Sequence, residues 1–207
     1  MNYEVLKNLS YGMYIIGAKN TKNVGCVVNT VFQITSDPVM IAVSLNKENE
    51  TTKTILETKK FSVSILNQNT KIDTIGTFGY KTSKECDKYE FVEYEEILDV
   101  PVLKDTNGYL ICEVVDTKEV GTHIIFICKV VKMDKFSDNE VMTYAYYQNN
   151  LKGKSPKNAP TYIKEETKKS VWKCKVCGYE AEMDELPSDY RCPICGRPAT
   201  DFERIEK

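Results

Sequence analysis

The chain has 207 residues, 42% of them hydrophobic and 28% charged, with a net charge of −2. This is a globular composition, long enough for one medium domain and one small one. The near-neutral balance gives no general electrostatic case for nucleic acid, and no run approaches the 18 uninterrupted apolar residues of a membrane helix.

The first residues, MNYEVLKN, lack a basic segment followed by an apolar one, so no secretion signal is expected. Residues 9–18 are β-branched and aromatic and read as a strand. Gly12 and Gly17 with Lys19 do not make a phosphate loop, because the Lys is displaced by one and no Ser or Thr follows it. Residues 24–34 read as a second strand with a polar interruption at Asn29-Thr30. Residues 39–45, nearly all apolar, read as a third strand buried on both faces. Short helices are expected over 53–60 and 71–78, with a strand at 61–66 between them. Residues 108–120 and 123–133 read as two long strands joined at Gly121-Thr122. Many strands and few helices predict a mainly β fold, an antiparallel barrel or sandwich closed against open edges. The domain boundaries follow: a barrel over 1–150, a linker over 151–170 with six Lys and two Pro, and a small domain over 171–207.

That last stretch carries the firmest chemistry. Two Cys-x-x-Cys pairs, Cys174/Cys177 and Cys192/Cys195, lie 14 residues apart, each followed by Gly (Gly178, Gly196). Two thiolates at this spacing clasp one ion from a single turn, and two such turns complete a tetrahedral four-sulfur shell. Such a shell holds zinc or iron; the aromatic jacket of Trp172, Tyr179, Tyr190 and Phe202 favours iron with a tuned one-electron potential. Four further cysteines, Cys26, Cys86, Cys112 and Cys128, are scattered; Cys112 and Cys128 lie in strand-like runs as small buried side chains. With no secretion signal, eight cysteines point to a reducing cytoplasm. The single histidine, His123, excludes His-rich metal sites and the Glu-x-x-His pairs of a di-iron bundle, since Val120 stands where the Glu would be.

For the first domain the residues alone say less. No GxGxxG follows a strand, so a Rossmann-type nicotinamide site is unsupported. The run SLNKENETT at 44–52 offers backbone N–H groups, hydroxyls and a Lys to an anion at a helix start, or else ordinary capping by Asn49 or Thr51.

Four segments carry a family resemblance: NTVFQITSDP (29–38), IAVSLNKENET (41–51), FGYKTSKECDKY (78–89), and TYAYY with GKSPKNAPTY (143–147, 153–162). In these the chain resembles the flavin-reductase-like family of FMN-binding split barrels, with a Greek-key fold. Residues 171–205 resemble a short-spacer rubredoxin, and the domain order is similar to that of the high-molecular-weight rubredoxins of anaerobes. The resemblance implies FMN in a groove near the interface of a homodimer. It places Asn29, Thr30, Val31 and Phe32 beside the isoalloxazine, and Ser44, Asn46, Lys47, Asn49 and Thr51 around the ribityl phosphate. His123 falls in GTH where the family commonly has GDH, which implies a structural or flavin-edge contact rather than general acid catalysis. No side chain is thereby catalytic; FMN and one iron carry the chemistry. NADH or NADPH would be the donor, and an acceptor redox protein, by resemblance a flavodiiron protein reducing dioxygen or nitric oxide, would take the electrons. Two other functions stay open: a carrier that never binds nicotinamide, and a binding module built on a zinc ribbon.

Overall fold

The computed structural model describes residues 2–162, 171–183 and 185–205. The chain forms two compact units, Met1–Ile163 and Lys164–Lys207.

In the first unit, strands β1 (Tyr14–Lys19), β2 (Asn23–Val28), β3 (Val31–Ser36) and β4 (Val39–Asn46) come first. Helix α1 (Glu50–Thr58), β5 (Lys60–Ile65) and α2 (Ile72–Tyr80) follow, then a short hairpin of β6 (Tyr94–Ile97) and β7 (Val100–Leu103). The long strands β8 (Gly108–Val120) and β9 (His123–Lys135) and helix α3 (Tyr144–Asn149) complete it. Seven strands form one sheet in the order β2-β1-β5-β8-β9-β4-β3, every pair antiparallel. The register between β8 and β9 shifts twice, with Val131 the extra residue on β9 and Val115 the extra residue on β8, and both strands bend there. The sheet curls far enough that Cys26 of the edge strand β2 shares one core with Val43 of β4, together with Ile16, Phe61 and Phe126. Ile55 of α1 plugs that core. The expected mainly β barrel with short helices is therefore what forms. A second cluster, including Ile75, Phe78, Tyr89 and Tyr147, packs α2 and α3 onto the rest of the unit. Cys112 and Cys128 are fully buried, as their apolar neighbours imply.

Several boundaries move. The first strand begins at Tyr14, not Leu9, because the backbone before it bonds elsewhere: Met13 O accepts from Leu66 N and Tyr11 O from Tyr144 N. The expected single strand over 24–34 is two strands at opposite edges of the sheet. The polar pair between them makes the crossing: Asn29 is buried, and Thr30 exchanges two bonds with the Ser44 backbone, at 3.0 and 3.1 Å. Helix α1 starts three residues before the expected Lys53 and ends where Lys59 turns left-handed (φ 58°), its N–H closing on Ile55 O. Helix α2 runs over Ile72–Tyr80, two residues beyond the expected 78 at its C-terminal end. The turn joining β8 and β9 is at Gly121-Thr122 as expected, with Gly121 at φ 55°.

Of the expected linker, 151–162 belongs to the first unit, while 163–170 lies outside the described residues. In the second unit β10 (Val171–Cys174) pairs with β11 (Glu180–Glu182) and β12 (Phe202–Ile205) in a small antiparallel sheet.

Candidate functional site

Two sites stand out, one in each unit. In the second, the four sulfurs of Cys174, Cys177, Cys192 and Cys195 lie within 4.8 Å of one another. Two of the separations are 3.7 Å (Cys174–Cys195) and 3.5 Å (Cys177–Cys192), far from disulfide contact. A tetrahedron with metal–sulfur bonds of about 2.3 Å has edges of about 3.8 Å, so the cluster has the dimensions of a four-sulfur metal shell. Local geometry explains the match. Gly178 N donates to Cys174 O and Gly196 N to Cys192 O, both at 2.8 Å, closing two similar knuckles in which the glycines take φ of 77° and 70°. The Cys177 backbone N–H holds the Cys174 thiol below its ordinary range. At Cys192 burial acts upward, but the backbone N–H groups of Cys195 and Ile194 prevail and bring the thiol to about 7. Cys177 and Cys195 are instead pushed up, and a cation among the four sulfurs would favour the thiolate form of all of them. Trp172, Tyr179, Leu186 and Tyr190 pack around Cys174, Cys192 and Phe202, while Cys177 and Cys195 are exposed. The four expected ligands are thus brought together.

In the first unit a cavity of about 360 Å³ opens between β2, the start of α1, the 79–83 loop and the segment 154–161. That volume lies in the range of small-ligand pockets. Of the residues expected at the cofactor, Asn29, Ser44, Asn46, Asn49 and Thr51 line it. Thr30, Val31, Phe32 and Lys47 are not among its lining residues. Phe32 stands 63% exposed on the edge strand β3, and Lys47 pairs with Glu119 at 2.5 Å. Thr30 spends its hydroxyl on the Ser44 carbonyl.

His123, which faces Asn46 across β9 and β4, also lines the cavity. Its Nδ1 lies 2.8 Å from Thr122 Oγ1, while its buried Nε2 has no partner among the described residues. Burial lowers the pKa of the imidazole, which keeps it neutral at pH 7. Helix α1 presents its first turn to the cavity, and Asn49 makes no side-chain cap there. An orphaned imidazole nitrogen and uncapped backbone donors around this cavity fit a flavin carrying an anionic tail.

Sequence reasoning assigned no site role to two parts of the wall. Lys88 is 4% exposed, and its ammonium donates to Gly25 O at 2.8 Å and Phe78 O at 3.2 Å. The segment 154–161 straps over the cavity. Asn29 Nδ2 donates to Thr161 Oγ1 (2.8 Å), Asn46 Nδ2 to Asn158 O (3.0 Å), and Tyr80 to the Lys154 carbonyl. Both parts lie in segments that carry the family resemblance, but nothing local in the sequence ties them to residues so far away along the chain.

Comparison with known proteins matches residues 6–155 to the flavin reductase like domain and residues 172–203 to the rubrerythrin, rubredoxin-like domain. A high molecular weight rubredoxin of Moorella thermoacetica is 38% identical over 99% of this chain and all of its own length. A ferric-chelate reductase (NAD(P)H) of Archaeoglobus fulgidus is 40% identical over 79% of this chain and 98% of its own. Among solved structures, an NADH:FAD oxidoreductase of Streptomyces globisporus superposes with a TM-score of 0.63 at 17% identity, covering 67% of this chain and 83% of that one. Flavoredoxin of Methanosarcina acetivorans gives 0.57 at 22% identity, covering 61% and 69%. At those identities the structures speak for the fold.

Proposed function

The chain belongs to the flavin reductase like family, with a rubredoxin-like domain following the barrel, and from that membership we propose an electron-transfer flavoprotein that draws on NADH or NADPH and reduces an acceptor redox protein. The observation that carries this reading is the presence, in one chain, of a cavity fitted to a flavin and a four-sulfur cluster fitted to iron. A bound flavin accepts two electrons as a hydride, and a four-cysteine iron accepts one at a time, so the two together convert one mode of transfer into the other.

The chain's own residues prepare both sites. Asn29 and Asn46 each contribute to the cavity wall while tying down the strap, which limits access of water. Neutral His123 offers Nε2 to the cavity as a hydrogen-bonding group rather than as a charge. In the second unit the buried Cys174 and Cys192 face the aromatic jacket, and the exposed Cys177 and Cys195 form the side from which an electron leaves. The choice of FMN over FAD is supported by the resemblance of the cavity-lining segments to the FMN-binding split barrels. A homodimer is supported by apolar surface on β3, where Phe32 and Ile34 are exposed. The acceptor favoured by the resemblance is a flavodiiron protein; its reoxidation of the reduced chain, mixed anaerobically, is the check.

The deciding experiment is rapid mixing of the oxidised, as-purified protein with NADH and, separately, NADPH in the absence of oxygen. The expected result is bleaching of the flavin band followed by loss of the ferric–thiolate colour. A flavin that nicotinamide leaves oxidised would reduce the role to that of a carrier fed by another protein. Colourless protein holding zinc and no flavin would overturn the electron-transfer reading altogether.

A further inference from the structure

A second cavity, of about 160 Å³, adjoins the first: Tyr144, Pro160 and Thr161 line both. Tyr11 and Tyr162 add two more rings to its wall, and Gln148 of α3 adds an amide. Among the described residues none of its lining side chains is charged. A phosphate or carboxylate would sit there without a counter-charge, so the wall suits a neutral group. The volume is that of a single ring system rather than a whole nucleotide.

The polar groups narrow the choice of ring. Thr161 Oγ1 already accepts from Asn29 Nδ2, and the Tyr144 hydroxyl meets that of Ser155. The Gln148 amide has no hydrogen-bond partner among the described residues. It carries a donor and an acceptor side by side, the pair that matches N7 and the N6 amino group of adenine. Tyrosine rings supply the flat faces on which a purine stacks. Tyr11 and Tyr144 stand at 83° to one another with centroids 6.2 Å apart, which fixes both rings without stacking one on the other.

We propose that this second cavity takes the adenine ring of the nicotinamide donor, whose nicotinamide end reaches the flavin in the first. This rests on the flavin and donor readings above and adds the part of the donor that the protein itself recognises. A dinucleotide carries its two rings at the ends of one pyrophosphate chain, and the two cavities adjoin through Tyr144 and Pro160-Thr161. The chain has no GxGxxG turn to hold such a molecule by its pyrophosphate, so recognition falls to the rings.

The test joins binding to kinetics on the full-length, as-purified protein. Calorimetric titration with AMP, and with IMP, in which an oxygen replaces the N6 amino group, reads the subsite directly. Wild type is expected to bind AMP about tenfold more tightly than IMP. Gln148→Met should remove that preference, and Tyr162→Ala should weaken both ligands alike by about tenfold. Equal binding of AMP and IMP by wild type, or a preference that survives in Gln148→Met, overturns the subsite. Anaerobic bleaching of the flavin is then followed with NADH and with reduced nicotinamide mononucleotide, which has no adenine. AMP is expected to slow bleaching by NADH and to leave that by the mononucleotide unchanged. Should Gln148→Met not fold, the wild-type comparison of AMP with IMP and this competition decide. AMP bound with the N6 preference but without competition against NADH would mean that a separate adenine nucleotide fills the cavity, and overturns the assignment to the donor. A flavin that neither donor bleaches overturns the donor reading itself and this assignment with it.

Discussion

His123 is a residue whose environment sets its chemistry. Burial lowers its pKa, whereas an unfolded chain would have it near 6.5. Between those two values the unfolded state binds more protons, so stability climbs as pH rises and the gain is complete above about 6.5. Below the folded value the penalty for burying the imidazolium is fully present. Replacing His123 by Gln removes this contribution. Thermal melts of flavin-free protein from acid to neutral pH should show a midpoint that climbs more steeply in wild type than in the variant. Parallel curves would contradict the assigned environment. The sequence marked His123 as the only imidazole available; its orphaned Nε2 emerges only once β9 is laid beside β4. Lys47 and Lys88 make the same point in opposite directions. Both are lysines in segments that resemble a cofactor-binding family, yet Glu119, 72 residues away, claims the first, and the carbonyls of Gly25 and Phe78 claim the second.

Among the elements, β3 is the one left exposed. It is an edge strand paired only with β4, and Phe32 and Ile34 are 63% and 44% exposed. By register Phe32 stands beside Ala42, which is buried, so the exposed apolar surface is confined to Phe32 and Ile34 on the edge strand itself. Edges of this kind are normally blunted or covered; the proposed homodimer would cover this one. Phe32→Glu is therefore expected to give a monomer by light scattering at micromolar concentration with an unchanged circular dichroism spectrum. A variant that keeps the dimer's mass would place the interface elsewhere. Strand identity was readable from β-branched and aromatic content, and most ends shifted by a few residues. The β6–β7 hairpin gave no comparable signal. Its turn residues Leu98 and Asp99 both take positive φ, 50° and 65°, without the Gly or Asn that normally announces such a turn.

The two units are stabilised by different means, which makes them separable. The barrel buries a large shared core from six strands and α1. Among the described residues of the small unit the buried apolar side chains are Val171, Cys174, Ala181, Cys192 and Phe202, with an aromatic surround, too little to order a chain of that length without its metal. Cys177→Ala should abolish iron in metal analysis and the near-ultraviolet dichroism of Trp172 and Tyr190, while flavin absorbance stays with the protein. Loss of flavin in that variant would mean that the units depend on one another.

What the sequence determined by itself is local. The four metal ligands were assignable because Cys-x-x-Cys brings two sulfurs together within one turn, and the β character of the barrel because propensity and alternation act over a few residues. What only the tertiary structure decided is long-range. Asn29 meets Thr161 across 132 positions and Asn46 meets Asn158 across 112, so a stretch that composition marks as a linker becomes the strap of a cavity. Lys88 reaches the same wall by folding 63 positions back onto Gly25. Such contacts depend on how the sheet curls, which is a property of all seven strands at once.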